Sequence, residues 1–131
     1  MTRHEQTIRQ LYDAVCAGAS DRLRGYFHPD AEQVEYPSLM RPAGHRRGLD
    51  GILDGARLAS TVVRDQRFDV VRVVEQGDQL AVQVTWSATT TTDLGEVPAG
   101  TPLVAHVGAF YEMRDGLVLR QSSYDCYAPV S

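Results

Sequence analysis

Residues 106–127 read HVGAFYEMRDGLVLRQSSYDCY, and the RDG at Arg114–Gly116 decides the fold. It stands between two runs rich in β-branched and aromatic residues, which is the chemistry of a hairpin turn. The same arrangement lies upstream. RFDVVRVVEQ (67–76) and QLAVQVTWSATTTT (79–92) are joined by Gly77-Asp78, and a loop, DLGEVPAGTP (93–102), leads on to LVAHVGAFYEM (103–113). Four consecutive strands linked in this way predict an antiparallel meander.

The first half of the chain has the other period. Ile8, Leu11, Tyr12 and Val15 recur at i, i+3, i+4 and i+7, so residues 3–17 are predicted to form an amphipathic helix. AGAS (17–20) ends it, and Ser20 or Asp21 can cap a short second helix carrying Leu23, Tyr26 and Phe27. HPD (28–30) breaks that helix, because the residue before a proline disfavours the α region. EQVEYP (32–37) reads as a short strand and RPAGHRRGLDG (41–51) as a loop. Asp50 can cap a third helix bearing Ile52, Leu53, Ala56 and Ala59. Helices first and a meander after them make an α+β fold, predicted as a single domain over 1–131.

Composition narrows the function. The net charge of -4 argues against nucleic acid or an anionic membrane as partner. No apolar run reaches the roughly 18 residues of a membrane span, and the polar start MTRHEQTIRQ does not read as a secretory signal, so a cytoplasmic protein is expected. All 13 basic residues are arginine. Schiff-base chemistry, a lysine-anchored pyridoxal cofactor and a phosphate-binding loop all need a lysine and are excluded. The four histidines are scattered and no carboxylate stands at ligand spacing from them, so no metal site is expected. With no dinucleotide fingerprint or nucleophile elbow either, the expected chemistry uses no cofactor. Cys16 and Cys126 have no ligand spacing and are expected to be free, packed thiols.

The last strand carries an acid. Alternation puts Leu117, Leu119, Gln121, Ser123 and Asp125 on one face of it. Asp125 is then either an exposed strand-end acid, free or paired with an arginine such as Arg120 or Arg41, or a pocket carboxylate whose pKa burial raises. Trp86 alternates with Val82 and Val84 and lines the pocket or core, where it can stack on a hydrophobic ligand.

The chain resembles the nuclear transport factor 2-like superfamily, in its SnoaL-like and ketosteroid-isomerase-like branch. The resemblance rests on the helix ending in Ala17-Gly18, FHPDAEQVEYP (27–37), RGLDGI (47–52) and HVGAFYEMRDGLVLRQSSYD (106–125), matching in order over nearly the whole chain. It implies a cone: a curved antiparallel sheet wrapped around the N-terminal helices, enclosing a mostly apolar pocket. It also implies a homodimer paired through the sheet. Ketosteroid isomerases use an aspartate where this chain has Tyr36, a protonated aspartate where it has Gly108, and a tyrosine at Leu11, beside Tyr12; none of these three groups is kept. The Arg-x-Asp pair of limonene-type epoxide hydrolases is missing from VTWSA (84–88). In SnoaL-like cyclases an aspartate on the final strand serves as acid and base, and Asp125 falls near that position.

The resemblance therefore implies a hydrophobic small-molecule partner and an acid–base enzyme acting on a carbonyl compound as cyclase, isomerase or dehydratase. Asp125 moves the proton in this reading. His106, on the face of Gly108 and Phe110 that the resemblance turns to the pocket, polarises an oxygen or shuttles a proton. Tyr36 offers a phenolic hydrogen bond to an enolate or an aromatic wall. Trp86, Phe110, Tyr12, Ser123 and Gln121 are the candidate ligand contacts, with Tyr12 equally at home in the core. Glu35, alternating opposite Tyr36, is expected to face solvent. His45 and its neighbouring arginines are a solvated loop or a gate for an anionic ligand. The alternative is a non-catalytic binding or accessory domain of the same fold.

Overall fold

The computed structural model describes residues 1–130. Its first helix, α1 (Arg3–Cys16), starts where the Thr2 hydroxyl accepts the Glu5 N–H, and buries Ile8, Leu11, Tyr12 and Ala14. That is the stripe the 3.6-residue period predicts. Helix α2 (Ser20–Arg24) is a single short turn seating Leu23, and no side chain caps it. It stops before the positions of Tyr26 and Phe27, which the sequence reading included.

Phe27 instead opens β1 (Phe27–Glu35), and the strand runs through the HPD segment. Pro29 is tolerated because pairing with the last strand is interrupted between Phe27 and Glu32, where no ladder donor is required. The expected loop at 41–51 contains a further strand, β2 (His45–Gly48), antiparallel to β1. Helix α3 (Leu49–Val62) follows directly, with Gly48 at its cap position. Asp50 therefore lies in the first turn, where a negative charge suits the helix dipole, and is not the cap.

The meander is β3 (Val63–Gln76), β4 (Gln79–Thr90), β5 (Pro102–Arg114) and β6 (Leu117–Tyr127). Asp115 and Gly116 both adopt positive φ, 55° and 76°, so the RDG turn has the twist that joins adjacent strands closely. The six strands form one open sheet in the order β2-β1-β6-β5-β4-β3. Among the described residues only the β1–β6 pair is parallel. The core lies between the helices and the inner face, where Ile8, Leu11, Ile52 and Leu53 meet Val82, Val84, Ala109 and Val118.

One irregularity resets the last strand. Between Glu112 and Met113 the register with β6 slips, so that Met113 faces Val118 and Glu112 faces Arg120. Val118 is consequently fully buried, and strict alternation from Leu117 does not hold across the slip. Beyond it Gln121, Ser123 and Asp125 keep the inner face. The two cysteines are free, as expected, but exposed rather than packed: α1 turns Cys16 outward and β6 turns Cys126 outward. Among the described residues no helix is long and apolar enough to cross a membrane.

Candidate active site

Paired residues on neighbouring strands point to the same face. This makes the register of β5 against β6 decisive. Asp125 is opposite Val107, Ser123 opposite Ala109 and Gln121 opposite Tyr111. These six line a cavity of about 850 Å³ enclosed by the inner face of the sheet, α1, α3 and the 94–97 loop. Trp86 and Tyr12 line it too, so four of the five candidate ligand contacts and Asp125 share one space.

Three sequence-predicted residues do not join them. His106 is opposite Cys126 and Thr85, on the outer face, and is exposed. Phe110 follows at the same parity and is 49% exposed. The inner face of β5 is instead Leu103, Ala105, Val107, Ala109 and Tyr111. With Asp125 directed inward, the ladder forces His106 outward; both cannot face the cavity. Tyr36 is also outside, 41% exposed and stacked on Tyr124 with centroids 4.6 Å apart. Glu35 takes the inward position that the sequence reading gave to Tyr36.

That exchange builds an acidic and basic cluster around Asp125. On β1, Gln33 stands opposite Gln121 and Glu35 opposite Ser123. Glu35 contacts Arg41 at 3.3 Å and His45 at 3.6 Å. Burial raises the Glu35 pKa and the Asp125 charge adds to the rise, while Arg41 and Arg47 oppose it. Burial likewise raises Asp125, offset by its Ser123 hydrogen bond and by Arg41. His45 is pushed down to about 4 by burial and by the two arginines, so it is neutral at pH 7. These are the surroundings that move carboxylates toward working pH.

A directed chain of hydrogen bonds leaves this cluster. Arg47 Nη2 donates to His45 Nδ1 at 3.1 Å, which assigns the imidazole proton to Nε2. Nε2 faces Gln33 Oε1 at 3.4 Å. Gln33 donates to Gln121 at 3.0 Å, and Gln121 donates to the Tyr111 hydroxyl at 3.3 Å. Tyr111 and Tyr12 share one hydrogen bond of 2.6 Å. The tyrosine pair holds two phenolic protons and uses only one between its members. One O–H is therefore left without a side-chain acceptor among the described residues. Burial pushes Tyr12 up to about 12 and raises Tyr111 well above the ordinary tyrosine value, so both remain protonated donors.

Arg47 has an unusual seat. Its side chain crosses α3 over Gly51 and Gly55: a Cβ at Gly51 would stand 2.8 Å from the Arg47 Cβ, and one at Gly55 1.7 Å from Nη1. Nη1 donates to the Gly51 carbonyl at 3.0 Å. The sequence shows HRRG and two glycines four apart, but not that β2 threads one against the other. Glu35, expected to face solvent, lines the cavity instead; Arg41 and Arg47 line it too, and His45, expected in a solvated loop or an anion gate, stands on β2 beside Glu35, positions that depend on the pairing of β2, β1 and β6. Among the described residues no cluster of three or more His, Cys, Asp or Glu is arranged to hold a metal ion.

A profile of the SnoaL-like domain matches residues 8–121. The chain belongs to the SnoaL-like family. Among solved structures it is similar to IdmH from Streptomyces antibioticus, a candidate polyketide cyclase, at 24% identity over 95% of this chain and 92% of that one, with a TM-score of 0.79. A SnoaL-like polyketide cyclase from Agrobacterium tumefaciens gives 19% identity, the same coverages and a TM-score of 0.73. A protein with a ketosteroid isomerase-like fold from Catenulispora acidiphila, in complex with trimethylamine, gives 13% identity over 90% of this chain and 83% of that one, with a TM-score of 0.74. At these identities the likeness establishes the fold: the nuclear transport factor 2-like architecture. Among curated proteins, none matches this sequence.

Proposed function

We propose that this SnoaL-like protein is a cofactor-independent acid–base enzyme acting on a hydrophobic, carbonyl-bearing molecule of polyketide type, by aldol-type ring closure, isomerisation or dehydration. The observation that carries the reading is Asp125, a half-buried carboxylate opening into a largely apolar cavity with its pKa raised by burial. Its ionised form takes a proton from the carbon next to a ligand carbonyl, leaving an enolate. In a ring closure the enolate attacks a second carbonyl, and the carboxylic acid returns its proton to the new alkoxide. Glu35 supplies a second carboxyl group beside it. The free phenolic proton of the Tyr12–Tyr111 pair fits an oxygen at the other end of the ligand. Strand spacing of about 3.3 Å per residue separates Gln121 from Asp125 by about 13 Å, which suits a ligand of two or more fused rings.

Deuterium exchange next to the carbonyl of bicyclic ketones in D2O, followed by NMR, tests the reaction class without requiring the natural substrate. Asp125→Asn is expected to lower enzyme-dependent exchange by 10²-fold or more. Equal exchange in the variant would refute the assignment. Saturable binding without any exchange would favour a binding domain instead.

The outer face supports a homodimer. Tyr36, Phe110 and Tyr124 form a stacked and edge-on aromatic group there, 41–49% exposed, with Val74 exposed on the same side of β3. Burying such a group against a second copy is favourable relative to leaving it in water.

A further inference from the structure

We propose that Arg47 is the anion-binding residue of the cavity, and that the ligand carries a carboxylate beside its hydrophobic body. This rests on the cavity being a ligand site and deepens the reading above.

Three independent features lead to it. First, Arg47 is the cavity-lining cation left without an acidic partner: its neighbours Arg41 and Arg46 are paired with Glu35 at 3.3 Å and Glu32 at 2.6 Å, whereas among the described residues Arg47 forms no ion pair. Its two bonded nitrogens meet only neutral acceptors, the Gly51 carbonyl and His45. Second, its Nε is buried and makes no hydrogen bond. A half-buried guanidinium with an unused donor gains most from a resting anion, because a charge-assisted bond replaces lost hydration. Third, the seat is built at a cost to the helix. Glycine inside a helix is less favourable than alanine by about 1 kcal/mol. Both α3 glycines stand where a methyl group would collide with Arg47.

The chemistry of a fork-shaped cation favours a planar, two-oxygen anion over a single carbonyl oxygen. A permanent charge needs a permanent counter-charge, so the inference is a ground-state carboxylate and not only a transient enolate. The nearby acids leave the guanidinium open to it: Glu35 is paired with Arg41 at 3.3 Å, and among the described residues neither Glu35 nor Asp125 forms an ion pair with Arg47. A hydrophobic acid such as a fused-ring keto acid meets these demands.

The test is calorimetric binding of 2-naphthoate and its neutral isostere 2-naphthamide at pH 7.5. The wild-type protein is expected to prefer the carboxylate by about tenfold or more, as charged hydrogen bonds imply. Arg47→Gln is expected to bring the two ligands within two- to threefold of each other. Gly55→Ala keeps the charge but displaces the guanidinium, and is expected to reduce the preference with an unchanged or raised Tm. Asp125→Asn removes an acid from the same cavity and is expected to keep or strengthen the preference, so loss of proton transfer and loss of anion binding are read separately. Wild-type protein that binds the amide as well as the acid, or neither up to millimolar concentration, would overturn the inference. So would an Arg47→Gln variant that is folded and still selective.

Discussion

The neutrality of His45 makes a measurable demand on stability. Its folded pKa is about 4, against the ordinary 6.5 of an unfolded chain. Between those values the unfolded state binds the proton and the folded state does not. Stability therefore falls as pH drops through this window and is regained as pH rises. Linkage between pH 7 and pH 5 gives about 1.8 kcal/mol for the full shift; partial solvent access reduces the expectation to about 1–1.5 kcal/mol. Glu35 and Asp125 act in the opposite sense, since raised carboxylate pKa values favour the folded state as pH falls. The comparison must therefore be made between variants. Urea unfolding of wild-type and His45→Gln protein at pH 7.0 and 5.0 isolates the imidazole. The wild type should lose about 1–1.5 kcal/mol more than the variant on acidification. Identical losses, or a His45 NMR titration near 6.5, would refute the assignment of a neutral imidazole locked between Arg47 and Gln33.

Tyr111→Phe removes the oxygen that accepts from Gln121 and pairs with Tyr12, leaving two polar groups without a partner in the core. A loss of about 1–3 kcal/mol in urea unfolding is expected, larger than for Tyr12→Phe, which leaves the Gln121 bond in place; the reverse order would contradict the hydrogen-bond chain. Phe110→Arg on the outer face is expected to shift a sedimentation profile from dimer to monomer without changing far-UV dichroism. A wild-type protein that sediments as a monomer at 100 µM (about a hundredfold above a typical micromolar dissociation constant) would remove the dimer.

The meander was legible because each turn announces itself locally. Asp115-Gly116 and Gly77-Asp78 can adopt conformations that their neighbours resist, and the runs between them alternate. The α1 stripe was legible for the same reason. What escaped was set by partners distant in sequence. Whether Glu35 or Tyr36 faces inward depends on which of them stands beside Ser123 of β6, and a one-residue choice inverts the whole face. His106 and Asp125 were each plausible alone; the ladder between Val107 and Asp125 makes them alternatives. Asp125 could be found because its carboxylate is conspicuous beside leucines, whereas His45 and Arg47 look like any polar loop until β2 pairs with β1.

Helix α3 supplies a signal of another kind. Its apolar side chains Ile52 and Leu53 are buried against the sheet, so the helix carries part of the core. A core-bearing helix is normally filled with strong helix formers, yet this one places glycines at 51 and 55, on the line that Arg47 crosses. Local propensity and tertiary role are in conflict there, and such conflicts concentrate where a site requires them. The stabilisation forgone, about 1 kcal/mol for a glycine inside a helix, leaves room for a guanidinium that forms no ion pair among the described residues. The second glycine makes room for Nη1, the nitrogen that bonds the Gly51 carbonyl, and so lets the guanidinium lie along the cavity wall that Arg47 and Gly55 both line.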